Sequence, residues 1–192
     1  MKNKWLIIAV LFPAISFSQG SASSKGELAA ITSVGLAAGE SIAKPLFQFS
    51  TGMNFRKWFA GVGAGADLYK FTSYPVFADL RMSFGKGLAG FVYANGGYNI
   101  SDGANSHNNN FFKTTDKFTG GLYMDAGVGY RIKLGTMHQL LFSAGYSQKN
   151  LSNRVGYTYP CFVEPCPEEI YDYRYKLGRI VAKLSWELGK MR

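Results

Sequence analysis

The stretch KFTGGLYMDAGVGYRI, residues Lys117 to Ile132, alternates between two kinds of side chain along its length. Because successive side chains of a β-strand point to opposite faces, this alternation predicts a strand with two different environments, whereas a helix would scatter both sets around its circumference. The apolar face carries Phe118, Leu122, Met124, Ala126, Val128, Tyr130 and Ile132, and the other face carries Thr119, Gly121, Tyr123, Asp125, Gly127, Gly129 and Arg131.

Seven further segments repeat this pattern, which predicts eight strands in all. The alternation is less regular in the first strand and in the one that precedes Lys117. The seven segments run over residues 28–38, 47–55, 58–70, 76–84, 88–99, 139–149 and 180–188.

The links between these segments alternate in length. Three are short, at residues 55–57, 85–87 and 133–138, and the other four cover residues 39–44, 71–74, 100–116 and 150–172. Counted along the chain, the short links are the second, the fourth and the sixth of the seven. Hairpin connections therefore place the three short turns and both termini at one end of the sheet. The pattern predicts an all-β, eight-stranded antiparallel up-and-down barrel.

The N-terminus is predicted to be a cleaved signal peptide. Lysines at positions 2 and 4 precede the apolar run Trp5–Ile15, and the small polar residues of 16–20 follow. This order is typical of an export signal, and the run is too short for a spanning helix. We expect cleavage before Gln19, which divides the chain into a signal peptide, 1–18, and a barrel domain, 19–192.

Composition excludes several classes of protein. The chain has 192 residues, of which 47% are hydrophobic and 17% charged, and its mean hydropathy is −0.05. These values argue against a disordered chain and against a bundle of membrane-spanning helices. The net charge of +9 would suit nucleic-acid binding, but export and the dispersal of Lys and Arg over turns, strands and loops argue against that partner.

The choice between a soluble and a membrane barrel depends on which face lies inside. The polar face is too rich in glycine to build a hydrophobic core, whereas the apolar face carries almost no charge in its middle and ends in aromatic residues, as lipid contact requires. The sequence therefore predicts a transmembrane barrel. The glycines of the polar face are Gly52, Gly61, Gly63, Gly65, Gly121, Gly127, Gly129 and Gly145.

Eight charged residues fall on the predicted inner face. Buried charges persist only when they are paired and hydrogen-bonded, so we expect a network of ion pairs in the lumen. Because the interior of an eight-stranded barrel is just filled by side chains, a plugged lumen is favoured over a small conducting pathway. The eight residues are Asp67, Asp79, Arg81, Asp125, Arg131, Arg179, Lys183 and Glu187.

With these features the chain resembles the small eight-stranded outer-membrane barrels of the OmpA/OmpX type, the outer membrane protein beta-barrel domain family. The resemblance spans the mature chain and rests on the strand pattern, the alternating links and the signal peptide, without a diagnostic motif. It implies a monomer in the outer membrane of a diderm bacterium, with outer-membrane lipids and the barrel assembly machinery as partners. One departure is that the chain continues past Trp186 to Arg192, whereas such barrels usually end on an aromatic residue.

The two cysteines, Cys161 and Cys166, lie in the last long link. In an exported protein a local disulfide is expected, and a loop this small gains little closure entropy from it. A metal site would need further ligands, and the chain offers only His107 and His138 without C-x-x-C spacing, so we expect neither metal nor cofactor.

The sequence predicts a non-enzymatic protein. His138 lies at a short turn, and His107 lies in an asparagine-rich link beside Ser106, where a solvated side chain is the simpler interpretation. The long links are therefore expected to serve surface interaction, with an extracellular ligand, or envelope integrity. A narrow pore and a lipid-modifying enzyme are the alternatives. The tyrosines at 157, 159 and 171 suit either a recognition surface or an aromatic girdle.

Overall fold

The computed structural model describes residues 26–39, 43–101, 104–109, 112–158 and 168–189, and it describes side chains in 26–39, 43–101, 118–157 and 169–189. Within these ranges the chain forms ten strands and one 3-10 turn at Lys86–Leu88. The strands are β1 (Glu27–Ala38), β2 (Ala43–Phe55), β3 (Trp58–Asp67), β4 (Ser73–Phe84), β5 (Gly90–Ser101), β6 (Ala104–Asn109), β7 (Phe112–Thr119), β8 (Gly121–Lys133), β9 (His138–Thr158) and β10 (Glu168–Gly189).

Eight of these strands close into a barrel. They are hydrogen-bonded in the order β10-β1-β2-β3-β4-β5-β8-β9, and β9 pairs with β10 to complete the ring. All the pairings are antiparallel. The prediction of an all-β, eight-stranded antiparallel barrel is confirmed, and closure leaves the ring without an open edge.

The three predicted short links lie together at one end, which we call the turn end. Arg56 and Lys57 join β2 to β3, residues 85–89 join β4 to β5, and residues 134–137 join β8 to β9. Arg56 adopts a left-handed φ of 50°, as do Gly85 and Gly87 at 81° and 66°, which tight reversals require. The start of β1 and the end of β10 lie here too, since Ala29 pairs with Gly189. We call the opposite end the hairpin end.

A β-bulge interrupts the segment that sequence analysis treated as one strand from Lys117 to Ile132. Thr119 of β7 pairs with Ser152, whereas Tyr123 of β8 pairs with Lys149, so four steps along one strand match three along its partner. The extra residue falls at Gly120–Gly121 and reverses which side chains face inward. Phe118 was placed on the apolar outer face, and that placement is wrong. Its ring instead contacts Phe71, 5.0 Å away between centroids.

The strands continue beyond the barrel at the hairpin end. There β6 pairs with β7, β7 pairs with the upper part of β9, and β9 remains paired with β10 up to Thr158 and Glu168. Residues 100–116 and 150–172 were predicted to be long links between strands. This is wrong for most of them, because they form a four-stranded sheet that we call the extension. The alternation fades in the extension because it lies beyond the barrel, where the contrast between lumen and outer face no longer applies.

Candidate functional site

The barrel buries its charges and exposes its large apolar side chains. Val62, Val128 and Ile180 on the outer face are 63%, 59% and 67% exposed. Among the side chains that the structure describes, nine charged ones are buried instead, namely Asp67, Asp79, Arg81, Asp125, Arg131, Lys149, Arg179, Lys183 and Glu187. The interior is therefore the candidate functional site. Its eight sequence-predicted residues form four ion pairs there.

The pair nearest the turn end joins Arg131 of β8 to Glu187 of β10, with Nη2 3.3 Å from Oε2. Asn54 donates a hydrogen bond to the second carboxylate oxygen of Glu187 at 3.1 Å. Arg131 also donates to the Ser83 hydroxyl at 2.9 Å and to the carbonyl oxygen of Leu88 at 3.3 Å. This cluster ties four strands and one turn together through the lumen.

The second pair is formed within β4. Arg81 donates from Nε and Nη2 to the Asp79 carboxylate at 2.9 and 2.7 Å, and the Ser50 hydroxyl of β2 donates to the same carboxylate at 2.8 Å. The Arg81 guanidinium also lies 5.7 Å from the ring centre of Phe59 and 5.9 Å from that of Phe91. Such cation–π contacts allow a cation to be buried between aromatic side chains.

The third pair, Lys183 and Asp125, lies near the middle of the barrel. Lys183 Nζ is 2.5 Å from Asp125 Oδ2 and 3.2 Å from Gln48 Oε1. The hydroxyls of Tyr93 and Tyr123 donate to the two oxygens of the same carboxylate at 3.0 and 3.2 Å. The carboxylate thus accepts hydrogen bonds from β5, β8 and β10, which offset the cost of burying its charge.

The fourth pair lies toward the hairpin end, where Asp67 forms ion pairs with Arg179 and with Lys149, whose Nζ lies 3.4 Å from Asp67 Oδ2. Lys149 donates further to the carbonyl oxygens of Tyr69 and Phe71 and to the Ser73 hydroxyl, at 2.7, 3.0 and 3.1 Å. It is the inner charge that sequence analysis missed. The sequence does place Lys149 on the inner face, because alternate residues of a strand share a face and Lys149 alternates with Ser143, Gly145 and Ser147.

Inward-facing aromatic rings fill the space beside the charges, and several lie against glycines on neighbouring strands. Phe77 pairs with Gly63 on one side and with Gly97 on the other, and a Cβ at Gly63 would lie 2.7 Å from the Phe77 ring. Phe91 pairs with Gly129 in the same way. The glycines therefore make room for aromatic rings as well as for polar side chains, which sequence analysis did not anticipate.

Apolar side chains close the interior at the hairpin end. Phe71 and Tyr175 pack against this group, and the two rings lie 5.5 Å apart between centroids. The buried members of the group are Ala37, Leu46, Tyr69, Leu151, Leu177 and Val181. This layer lies above the Asp67 cluster and adds to the side chains that fill the lumen.

The extension carries a solvent-exposed ion pair and an aromatic pair. Arg154 donates to Asp172 at 2.8 Å, and this hydrogen bond holds the pKa of Asp172 below its ordinary value. Tyr157 and Tyr171 lie 5.9 Å apart in an edge-to-face contact. Alternate residues of a strand share a face, so Tyr157 lies on the same face as the buried Val155, and Tyr171 on the same face as the buried Leu177. Neither tyrosine lies on the apolar outer face, which disfavours the girdle interpretation for these two residues.

Several predicted features lie outside the described residues: the signal peptide, Tyr159 and both cysteines, and the side chains of Ser106 and His107. His138 lies at the turn end, where its ring contacts Trp186 at 5.8 Å. Within the described ranges, no group of three or more His, Cys, Asp or Glu side chains is arranged to hold a metal ion. In the same ranges no helix is both long and apolar enough to cross a membrane.

Comparison with known proteins adds little to this geometry. No family model matches the chain, and no curated protein matches it. Among solved structures, the chain is similar to the translocator domain of the autotransporter NalP from Neisseria meningitidis, with 12% sequence identity over 86% of this chain and 88% of that one. The TM-score is 0.23, so this likeness carries no argument about the function of the chain.

Proposed function

We propose that this chain is an integral outer-membrane β-barrel of a diderm bacterium, of the small OmpA/OmpX type. Residues 1–18 direct export and are removed, and the assembly machinery of that membrane inserts the barrel as a monomer. The turn end and both termini then face the periplasm, and the extension faces outward. The observation that carries the proposal is the inverted distribution of polarity, with ion pairs inside and exposed apolar side chains outside.

This inversion favours lipid over water as the surroundings of the barrel. Soluble monomers rarely expose a continuous apolar surface larger than a few hundred Å², yet large apolar side chains lie on the outer face of strands all around the ring. A soluble, lipocalin-like barrel instead has an apolar core, in which interior ion pairs are not expected. Aromatic residues near both ends, such as Trp58, Trp186 and Tyr146, suit the two interfaces of a bilayer.

We take the lumen to be plugged, which favours a scaffold over a catalyst or a pore. Four ion pairs, aromatic rings and the apolar layer at the hairpin end occupy the lumen, so the remaining place for activity is the extension. We assign to it surface interaction with an extracellular ligand, or a role in envelope integrity. The Cys161–Cys166 disulfide would shape the tip of the link between β9 and β10.

Membrane fractionation tests the proposal. We expect the mature protein to remain in the membrane pellet after alkaline carbonate extraction, and the folded and boiled forms to migrate differently in electrophoresis. Release into the soluble fraction would contradict the proposal. Planar-bilayer recordings provide the second test: a steady conductance that changes in Arg81→Ala or Arg179→Ala would show that the lumen is a narrow pore.

A further inference from the structure

A basic surface lies on the outer face of β9 and β10, directly above the apolar part of the barrel. Going up these strands, the outward pair Ile180 and Tyr146 is followed by Gly178 and Gln148, then by Lys176 and Asn150, and then by Arg174 and Ser152. Ile180 and Tyr146 are 67% and 57% exposed. The outer face therefore changes from apolar to basic within two residue pairs.

The two cations of this surface differ from those of the barrel interior. Each buried Lys or Arg has a carboxylate partner, whereas no carboxylate of the described residues forms an ion pair with Arg174 or Lys176. One pair higher, Asp172 is engaged by Arg154. The positive charge of Arg174 also acts on Asp172, whose pKa it helps to lower, but Asp172 forms its ion pair with Arg154. An anionic group at this level would pair directly with Arg174 and Lys176.

The cations flank a cleft of about 240 Å³. The bulge residues Gly120 and Gly121 line its other side, together with Asn150 and Ser152. A Cβ at Gly121 would lie 2.8 Å from the Asn150 carbonyl oxygen, so glycine is needed here for the strands to approach. The cleft offers two cations and uncharged hydrogen-bonding groups, which suit a phosphate.

An apolar groove of about 770 Å³ lies lower on the same face, across β8, β9, β10 and β1. Its centre is shallow because Ala144 and Ala182 are paired there, and larger side chains such as Val128, Phe142 and Leu184 border it. Ala182 lies six residue steps from Lys176, a distance of about 20 Å along a strand. The exposed Tyr146 and Ile180 lie between the groove and the cleft along β9 and β10.

We propose that the cleft and the groove form one binding site for a phosphate-bearing lipid of the outward-facing leaflet. The phosphate lies between Arg174 and Lys176, and an acyl chain descends over Ile180 into the groove. This inference rests on the proposed membrane location, because both parts of the site face the surroundings of the barrel. A basic cleft that lies above an apolar groove on one face of the barrel fits a lipid better than a nucleic acid or a soluble anion.

Lipid binding by the folded protein tests the site. Detergent-solubilised protein is titrated with phosphatidic acid and, separately, with phosphatidylcholine of the same acyl chains, and bound lipid is counted by native mass spectrometry. We expect selective retention of phosphatidic acid. The double variant R174Q/K176Q should lower its affinity about 5-fold per cation, as expected for a basic residue beside an anionic lipid headgroup.

The matched control is K86Q/K133Q, which removes two exposed lysines at the turn end and causes the same change in net charge. It should leave the binding of phosphatidic acid unchanged, and an equal loss in both double variants would overturn the site. A144F/A182F, which fills the groove, should weaken phosphatidic acid binding although both cations remain. If inorganic phosphate displaces phosphatidic acid completely and A144F/A182F has no effect, the site is an anion site and the lipid assignment is wrong.

Failure of this inference is distinguishable from failure of the proposed function. Each variant is first shown to fold by its altered migration in unboiled samples and by its retention in carbonate-washed membranes. A wild-type protein that does not enter membranes contradicts the proposed function and the lipid site together. A protein that enters membranes but retains both lipids equally contradicts the lipid site alone.

Discussion

Lys183 and Asp125 connect two strands that are not neighbours in the barrel. Lys183 Nζ on β10 lies 2.5 Å from Asp125 Oδ2 on β8, with β9 between them in the sheet. The two side chains are only 4% and 1% exposed. Since neither charge reaches bulk water, each depends on the other for its stabilisation.

Removing one member of this pair should therefore destabilise the barrel strongly. We expect Asp125→Asn to cost about 3–5 kcal/mol, because Lys183 is then left buried without its carboxylate. The double variant D125L/K183M should lose less stability than Asp125→Asn. Urea unfolding in lipid vesicles measures both, and Asp172→Asn at the exposed Arg154 pair is the control with little expected effect. Equal losses in D125N and D172N would contradict the prediction.

Gly63 on the inner face should tolerate substitution less well than Gly96 on the outer face. A Cβ at Gly63 would lie 2.7 Å from the Phe77 ring, whereas a Cβ at Gly96, on the exposed face, would meet nothing within 4 Å. We expect Gly63→Ala to cost about 1–3 kcal/mol through overpacking, and Gly96→Ala to be neutral. The same urea assay compares them, and Phe77→Leu should restore part of the loss in Gly63→Ala but not improve Gly96→Ala.

A charge on the apolar outer face distinguishes lipid from water around the barrel. Val128 is 59% exposed, so in a soluble protein Val128→Arg would be nearly neutral. In a bilayer we expect it to cost about 2–4 kcal/mol, with a smaller folded fraction after refolding into vesicles. Ser152→Arg, on the same face but level with the basic cleft, is the control that should fold normally. Normal insertion of the Val128→Arg variant would argue against lipid contact at this position.

The exposed pair of the extension predicts a small, directional pH effect. The hydrogen bond from Arg154 lowers the pKa of Asp172, so the stabilisation by this pair is present above the ordinary pKa of the carboxyl and is lost as the pH falls through the lowered one. Arg154→Gln should raise the pKa of Asp172 toward its ordinary value. Carbon NMR of the Asp172 carboxyl in micelles measures the shift, and an unchanged pKa would show that the pair does not form in solution.

The barrel could be predicted from the sequence because lumen and outer face impose opposite demands on alternate residues. That contrast identified the eight inner charges and the three short turns. It could not locate the bulge at Gly120–Gly121, since two adjacent glycines carry no side chain that reports which face they occupy. Three of the four ion pairs could not be predicted either, because partners such as Asp67 and Arg179 lie far apart in the sequence and meet only after the ring closes. The exception is Asp79 and Arg81, which lie two residues apart on one strand.

The hairpin of β9 and β10 has a mechanical consequence. Its pairing runs without a break from Thr158 and Glu168 to His138 and Leu188, so its 21 residue pairs form a beam about 70 Å long at roughly 3.4 Å per residue. A pulling force at the tip is carried down the beam into strands anchored on both sides by β8 and β1. The extension therefore transmits a force applied at its tip to the strands of the barrel, instead of stretching independently of them.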